Sequence, residues 1–130
     1  LKVNEEELTM LGGWLGLQGG HGDVESRANF VLRHLRLKML LVTRGAGGAL
    51  AFDSAGECTA CDGGGRDVRL VDTVGAGDAF SAVMLAGLLR GWNVALALAR
   101  ATEFAGHICE VRGAVPTDLA VYQQWTASWT

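Results

Sequence analysis

Apolar residues recur along this chain in two ways, at helical spacing in some segments and as short unbroken runs in others. The helical spacing predicts helices at residues 3–17, 24–35, 79–90, 94–110 and 118–126. The apolar runs predict strands at residues 38–43, 49–52, 58–61 and 68–71. The side chains predicted to face inward from the first two helices are Leu8, Leu11, Trp14, Leu15, Phe30, Val31 and Leu35.

The alternation of strands with helices predicts an α/β fold, layered α/β/α around a mainly parallel sheet. The 130 residues are expected to form a single domain of ordinary size. In sheets of this kind ligands bind at the carboxyl ends of the strands. Residues 43–45 and 72–75 lie at the carboxyl ends of two predicted strands, so binding or catalytic residues are expected there.

Composition argues against several classes of function. The net charge of −3 provides no basic surface for nucleic acid, and no apolar run is long enough to span a membrane. Three cysteines, an odd number, favour a reducing cytoplasm over a secreted disulfide scaffold. Cys58 and Cys61 form a C-x-x-C pair, but no second pair or neighbouring histidine completes a zinc set, which disfavours a metal or redox role. Because the chain begins at Leu1, we expect it to be part of a longer protein.

A polar turn between the fourth predicted strand and the next helix has an unusual composition. Gly75 and Gly77 lie where the first helical turn should begin, and each costs about 1 kcal/mol of helix propensity relative to alanine. Glycine allows close approach to the backbone and a helix N-terminus attracts anions, so a phosphate is expected at this turn. Asp78 would then place a carboxylate beside the anion. The alternative is that Asp78 only complements the helix dipole and that Asp72 or Thr73 caps the helix.

Other polar and small residues have a simple structural explanation. Asn4 and Glu7 have the spacing of a helix capping box, and from the residues alone that interpretation is preferred. The alanine-rich helix at 94–110 favours close packing against a neighbouring element over contact with a flat ligand. His107 and Cys109 on that helix are expected to be packing residues.

Two glycine pairs invite comparison with the dinucleotide fingerprint G-x-G-x-x-G, and both fail. The pair Gly45 and Gly47 has Leu50 at the sixth position and is followed by a predicted strand instead of a helix. The pair in the polar turn has Phe80 at the sixth position. A dinucleotide domain of the dehydrogenase type is therefore disfavoured, and the absence of any G-K-[ST] sequence excludes a P-loop.

Four segments resemble, in order, the motifs of the ribokinase-like (PfkB) carbohydrate kinases. Residues 72–80 (DTVGAGDAF) match the C-terminal signature D-T-x-G-A-G-D-x-F of that family. Residues 4–7 resemble its N-x-x-E motif, residues 42–49 its nucleotide-binding T-x-G-x-x-G segment, and residues 112–116 its closing R-G-A-x-P loop. The resemblance covers the whole chain but only the C-terminal half of a family member, without the sugar-recognition residues and the β-strand lid. The tail at 109–116 is most similar to fructokinase-like members.

The resemblance implies ATP-dependent phosphorylation of a sugar hydroxyl, with Asp78 as the general base. It also implies that four consecutive backbone amides form an anion hole, those of Gly75, Ala76, Gly77 and Asp78. The nucleotide-binding residues that it implies are Asn4, Glu7, Thr43, Gly45, Gly48 and Gly113. Parts of helix 94–109 and the loop at Gly113 would border the adenine.

Metal ions are implied in the same way. Glu7, with Asn4, would organise Mg²⁺ through water, so the resemblance shifts our interpretation of this pair from capping towards function, although one pair could serve both. Asp72 and the Gly113 carbonyl would hold a monovalent cation such as K⁺. The expected ligands are ATP, Mg²⁺, K⁺ and a small sugar, and a homodimer is left open. The rival interpretation is a non-catalytic nucleotide-binding or dimerising fragment of such a kinase.

Overall fold

A computed structural model of the chain describes residues 1–18, 22–63, 73–111 and 116–129. The chain divides into two units, residues 1–64 and residues 65–130. The elements of the first unit are β1 (Lys2–Asn4), α1 (Glu5–Trp14), α2 (Val24–His34), β2 (Met39–Thr43), a 3₁₀ turn (Gly45–Gly47), β3 (Ala49–Asp53) and β4 (Cys58–Cys61). The elements of the second unit are α3 (Ala76–Leu89), α4 (Val94–Cys109) and α5 (Leu119–Ser128). The strand predicted at 68–71 lies outside the described residues.

The first unit is built on a mixed four-stranded sheet in the order β1-β2-β3-β4. β1 and β2 run parallel, and the last residues of the two strands, Asn4 and Thr43, lie opposite each other. The pairs β2–β3 and β3–β4 are antiparallel. The expected parallel pairing is therefore seen between β1 and β2, and the other described strands form a meander that ends in β4.

The antiparallel turn from β2 into β3 depends on one glycine. Gly48 has a φ of 83° and a ψ of −137°, a conformation that side-chain-bearing residues rarely adopt. A Cβ atom at this position would also collide with the backbone carbonyl of Cys61 in β4 and lie 2.6 Å from the amide nitrogen of Gly63. Gly48 thus lets the chain reverse while β3 stays paired with β4.

The core of the first unit lies between one face of the sheet and the two helices. Leu8 from α1, Val31 from α2 and Phe52 from β3 are fully buried. The complete buried cluster is Val3, Leu8, Ala28, Val31, Leu32, Leu40, Val42, Leu50 and Phe52. Burying each large aliphatic or aromatic side chain contributes about 1.5–3 kcal/mol, so this cluster is the main source of stability for the unit.

Two of the predicted inward positions are wrong. Trp14 is 77% exposed at the last residue of α1, and Leu35 is 39% exposed at the C-cap of α2. Helical spacing alone placed them inward, but each lies at a helix end. The buried face of α2 instead includes Ala28 and Leu32. The other predicted inward residues are buried or pack in part against the core, namely Leu8, Leu11, Leu15, Phe30 and Val31.

In the second unit α3 packs closely against α4. A Cβ atom on Gly87 would collide with the ring of Trp92 and lie 3.2 Å from the Cβ of Ala97, so the absence of a side chain permits this contact. The close-packing role predicted for the alanine-rich helix is confirmed by Ala97 and Ala101, which are fully buried. Buried apolar residues of these two helices are Phe80, Val83, Met84, Ala97, Leu98, Ala101, Phe104 and Ile108.

Polar caps begin α4 and α5, the helices that the sequence predicts at residues 94–110 and 118–126. The side chain of Asn93 accepts a hydrogen bond from the Leu96 N–H at 2.8 Å and begins α4. Asp118 accepts one from the Ala120 N–H at 2.9 Å and begins α5. These caps satisfy amide donors that a helix N-terminus otherwise leaves unpaired.

Aromatic side chains join α5 to α4. Phe104 makes an edge-on contact with Trp125 at a ring-centroid distance of 5.4 Å and with Trp129 at 5.7 Å. An apolar groove of about 210 Å³ lies beside them, lined by residues of α3, α4 and α5. None of the described helices combines the length and the apolar character that a membrane crossing requires.

Candidate functional site

The glycine-containing turn leads directly into α3, as the sequence predicted. Gly75 is the N-cap, with a φ of 85° and a ψ of −12°, a left-handed conformation that favours glycine. The helix starts at Ala76, so Gly77 and Asp78 lie in its first turn. The N-cap is Gly75, two residues after Thr73, so Thr73 does not occupy the cap position of α3. Asp72, the other cap candidate, lies outside the described residues.

The start of α3 leaves backbone donors available. Within the described part of the chain, the amides of Gly75, Gly77 and Asp78 donate no hydrogen bond. The Ala76 N–H donates to the Thr73 carbonyl at a long N···O distance of 3.4 Å. The three residues before Asp78 are only half-buried, so a ligand can reach this backbone. Unpaired amides and the positive end of the helix dipole together suit an anion.

The side chain of Asp78 is exposed. It makes no hydrogen bond or ion pair with any described residue. As the third residue of α3 it complements the helix dipole, so the purely structural interpretation of this carboxylate agrees with its position. Since no described residue engages its oxygens, a ligand that approaches the same backbone turn can contact them.

Ser81, one turn further along α3, was not predicted as part of this site. Its half-buried hydroxyl donates a hydrogen bond to the Gly77 carbonyl at 2.8 Å. A serine four residues after the second glycine is the signal that could have found it, since serine hydroxyls in helices bond to the carbonyl at i−4.

Asn4 and Glu7 form a reciprocal capping box at the start of α1. The Asn4 side chain accepts from the Glu7 N–H at 2.8 Å, and the Glu7 carboxylate accepts from the Asn4 N–H at 2.8 Å through Oε2. The capping interpretation is therefore confirmed. Both side chains are exposed, and Oε1 of Glu7 is left free by this pairing, so a second role at the same place stays a prediction.

The other residues predicted for nucleotide binding in this unit lie at and after the end of β2. Thr43 is opposite Asn4 in the parallel pair, and its hydroxyl makes a long contact of 3.5 Å with the Val3 carbonyl. Gly45 is exposed, has a φ of 55° and has open space around its Cα. Gly48 is buried, and its packing against β4 accounts for the glycine without any ligand.

Arg44 closes the turn that contains these glycines. Its backbone N–H donates to the Gly48 carbonyl at 2.8 Å, and Nη2 of its side chain donates to the Gly47 carbonyl at 3.0 Å. No sequence pattern singles out this arginine, because its partners are backbone atoms. The result is an ordered turn at the carboxyl end of β2.

Cys58 and Cys61 lie three residues apart on β4. Side chains alternate between the faces of a strand, so the two sulfur atoms point to opposite sides of the sheet and do not converge on one metal ion. Burial, followed by the nearby Glu25 carboxylate, raises the pKa of the Cys58 thiol, which keeps it protonated at neutral pH. Among the described residues no group of three or more histidine, cysteine or carboxylate side chains could hold a metal.

The structure thus brings Asn4, Glu7 and Thr43 together in the first unit and residues 75–78 together in the second. Asp72 and Gly113, predicted for the monovalent cation and the nucleotide, lie outside the described residues.

Comparison with known proteins decides the family. The family model for the pfkB family carbohydrate kinases matches residues 1–119. The chain belongs to this family. A fructokinase from Rhizobium leguminosarum bv. trifolii is 38% identical over 88 residues, which are 68% of this PfkB chain and 24% of the fructokinase. The recognition made from residues 72–80 is thereby confirmed.

Solved structures show the same fold. A ribokinase from Thermotoga maritima matches 98% of the PfkB chain and 41% of its own chain, with a TM-score of 0.79 and 25% identity. A ribokinase from Cryptococcus neoformans var. grubii serotype A in complex with ADP matches 95% of this chain and 44% of its own, with a TM-score of 0.70 and 27% identity. An adenosine kinase from Sinorhizobium meliloti, at 22% identity and a TM-score of 0.77, shows the fold alone.

The predicted ribokinase-like α/β fold is confirmed by these structures. The PfkB chain spans about a quarter of the length of its fructokinase relative and less than half of the length of these three solved kinases.

Proposed function

We propose that this PfkB chain forms the nucleotide-binding and catalytic part of a kinase that transfers a phosphoryl group from ATP to a sugar hydroxyl. The observation that carries the proposal is the start of α3, where unpaired amides and an exposed carboxylate lie within the region matched by the family model. A sugar substrate is favoured by the similarity to the Rhizobium fructokinase, and ATP by the ADP complex of the Cryptococcus ribokinase.

Asp78 is assigned the role of general base. The sugar hydroxyl oxygen forms a bond to the γ-phosphorus of ATP, the bond between that phosphorus and the bridging oxygen breaks, and ADP leaves. Asp78 accepts the proton that the hydroxyl loses. A positioned base contributes about 10²–10⁴ in rate. The carboxylate suits this task because no described group occupies its oxygens.

The amides at the start of α3 are assigned to the charge that develops on the transferred phosphoryl group. The N–H groups of Gly75, Gly77 and Asp78 are unpaired within the described residues, whereas the Ala76 N–H is shared weakly with Thr73. Phosphoryl transfer depends mainly on such positioning and electrostatic stabilisation. Gly75 and Gly77 keep the backbone accessible to the phosphate.

The first unit is assigned to the nucleotide. Thr43 and Gly45, at the carboxyl end of β2, would contact its phosphates and ribose, in keeping with the ligand position typical of such sheets. Gly48 supports them by shaping the turn.

The acidic first turn of α1 suits a metal ion between protein and phosphates. Glu5, Glu6 and Glu7 lie there together, and the free oxygen of Glu7 is a hard ligand of the kind that Mg²⁺ prefers. When bound, Mg²⁺ would supply positive charge to the phosphates. Since no group of three or more histidine, cysteine or carboxylate side chains among the described residues could hold a metal ion directly, Glu7 and Asn4 would hold it through water.

The test is the substitution Asp78→Asn in the full polypeptide that the gene encodes. Asparagine keeps the volume but cannot accept the hydroxyl proton, so kcat should fall by about 10²–10⁴. The KM for ATP should be unchanged or slightly lower, since a negative charge near the phosphates is removed.

The structural interpretation of Asp78 gives a different result. If the carboxylate only complements the helix dipole, its loss lowers stability by about 0.3–1 kcal/mol and leaves turnover nearly intact. A fall in kcat of less than about tenfold, well short of the general-base range, would remove Asp78 from the mechanism.

A second candidate is a nucleotide-binding chain that does not catalyse transfer by itself. The observation that favours it is length, because the chain spans 24% of the fructokinase that it resembles. Sugar-dependent turnover by the full polypeptide, and its loss in Asp78→Asn, separates the two candidates.

A further inference from the structure

We propose that Ser81 is a positioning residue for the phosphoryl site. Its hydroxyl holds the carbonyl of Gly77 and thereby orients and polarises the peptide unit whose N–H belongs to Asp78. The inference rests on the proposed function and adds a residue to it that lies outside the signature at 72–80.

The geometry places the two ends of one peptide unit in different environments. The Gly77 carbonyl accepts the Ser81 hydroxyl at 2.8 Å. The Asp78 N–H, at the other end of the same unit, has no partner among the described residues. A hydrogen bond accepted by the carbonyl strengthens the N–H of that peptide as a donor, by about 10–30% per bond. Ser81 therefore makes the Asp78 amide a better donor to a phosphoryl oxygen.

The same bond restrains a flexible turn. Gly75 and Gly77 both tolerate many backbone conformations, and the contact between the Ala76 N–H and the Thr73 carbonyl is long at 3.4 Å. Among the described residues, and in addition to the regular backbone bonds of α3, two short bonds hold this turn: the Ala79 N–H to the Gly75 carbonyl, at 2.9 Å, and the Ser81 hydroxyl to the Gly77 carbonyl. Since Asp78 lies between these two bonds in the chain, they restrain the backbone that carries both its amide and its carboxylate.

A purely structural role for Ser81 would leave a different signature. Serine is a weaker helix former than alanine, and a hydroxyl bonded back to the i−4 carbonyl slightly destabilises a helix. Ser81→Ala should therefore leave the free energy of unfolding unchanged or raise it. Slower turnover in a variant that is no less stable identifies an effect on the site.

The experiment compares Ser81→Ala and Ser81→Thr with a matched control, Thr126→Ala. Thr126 makes the same kind of bond, from its hydroxyl to the Tyr122 carbonyl at 2.9 Å, but in α5 and not in the helix that begins at this turn. Removing a whole anion-hole donor lowers kcat by about 10²–10³. Ser81→Ala removes only the strengthening of one donor, about 10–30% of its hydrogen-bond energy. The same share of the loss in log kcat is about a two- to eightfold fall in kcat. We expect this loss for Ser81→Ala in the full polypeptide, with an unchanged KM for ATP, recovery in Ser81→Thr, and no change in Thr126→Ala.

A second measurement needs no turnover. In the ligand-free 130-residue chain the amide proton resonance of Asp78 should move upfield in Ser81→Ala and stay near its original position in Ser81→Thr. An unmoved Asp78 resonance, or an unchanged kcat in an active polypeptide, overturns the inference. A wild-type polypeptide that phosphorylates no sugar overturns the proposed function instead, and the Asp78 resonance then still decides whether Ser81 acts on the peptide.

Discussion

At the scale of single residues, hydrogen-bond partners separate two acidic residues that the sequence presents alike. Glu7 and Asp78 both lie in the first turn of a helix. Glu7 is engaged with the Asn4 amide, whereas Asp78 has no partner among the described residues. One oxygen of Glu7 thus supports a helix end through a hydrogen bond, whereas neither oxygen of Asp78 does so among the described residues. Spacing alone could not make this distinction, because both positions suit the helix dipole.

Gly87 gives a prediction at this scale, with Gly106 as its control. Glycine-to-alanine changes in helices usually stabilise by about 0.4–1 kcal/mol, because they restrict the unfolded chain. At Gly87 a methyl group would collide with the Trp92 ring, so Gly87→Ala should instead destabilise by about 1–3 kcal/mol through overpacking. At Gly106 a methyl group meets nothing within 4 Å, so Gly106→Ala should stabilise.

Urea unfolding of both variants at neutral pH measures the two effects on the free energy of unfolding. The decisive result is that the free energy of unfolding falls in Gly87→Ala and rises in Gly106→Ala. Equal stabilisation by both substitutions would show that α3 and α4 can separate at no cost.

At the scale of elements, features set by local chemistry could be predicted and features set by distant contacts could not. The caps Asn93 and Asp118 act within three residues of their own position, so sequence was sufficient to place the starts of α4 and α5 to within one residue. β1 was missed, and Val3 and Asn4 were assigned to the following helix. A strand of three residues shows no alternation, and it exists here because it pairs with β2.

The candidate site divides in the same way. Gly77 and Asp78 were predicted in the first turn of α3 because glycine in a helix start is visible in the sequence. The structural role of Gly48 could not be predicted, because it depends on the close approach of Cys61 in β4, thirteen residues further along the chain. The meander of β2, β3 and β4 follows from that same turn, so the described part of the sheet has less parallel pairing than the alternation of elements suggested.

The cap of α2 gives a prediction about pH. Asp23 accepts the Ser26 N–H at 2.7 Å, and this backbone hydrogen bond is the largest cause that lowers the pKa of Asp23 below its ordinary value of 3.8. Because the folded pKa lies below the unfolded one, the cap stabilises fully above the unfolded value. The stabilisation is lost as the pH falls from 3.8 through the lower folded pKa.

Asp23→Asn is the informative variant, since asparagine also caps helices but does not titrate. The stability of the wild type relative to Asp23→Asn should fall in acid, while Asp23→Ala should be less stable than both at neutral pH. Chemical unfolding at neutral pH and at several acidic pH values tests this. A difference between wild type and Asp23→Asn that is constant with pH would contradict the role assigned to the Asp23 charge.

At the scale of the whole molecule, nucleotide contacts are assigned to residues of the first unit and phosphoryl chemistry to residues of the second. Asp78, Leu85 and Leu89 are spaced by seven and four residues and so share one face of α3, which is exposed from end to end. Leu85 is 61% exposed and Leu89 is 80% exposed. An apolar face of this kind is usually covered in a functioning protein. The proposed base therefore lies at the end of a surface that the described residues leave open to water.

This openness gives the last prediction, which concerns the isolated 130-residue chain. Phosphoryl transfer to a sugar needs the two substrates to be held in line and protected from water. The chain spans 41% of the Thermotoga ribokinase, and the proposed base is exposed. ADP release from ATP and Mg²⁺ should therefore be the same with and without fructose or ribose. ATP with Mg²⁺ should still raise the melting temperature, because the nucleotide contacts are assigned to residues that are present. Asp78→Asn in the same chain should show an equal thermal shift, which separates nucleotide binding from catalysis. Robust sugar-dependent ADP release would place the sugar site within these residues and show that the open face of α3 does not prevent transfer.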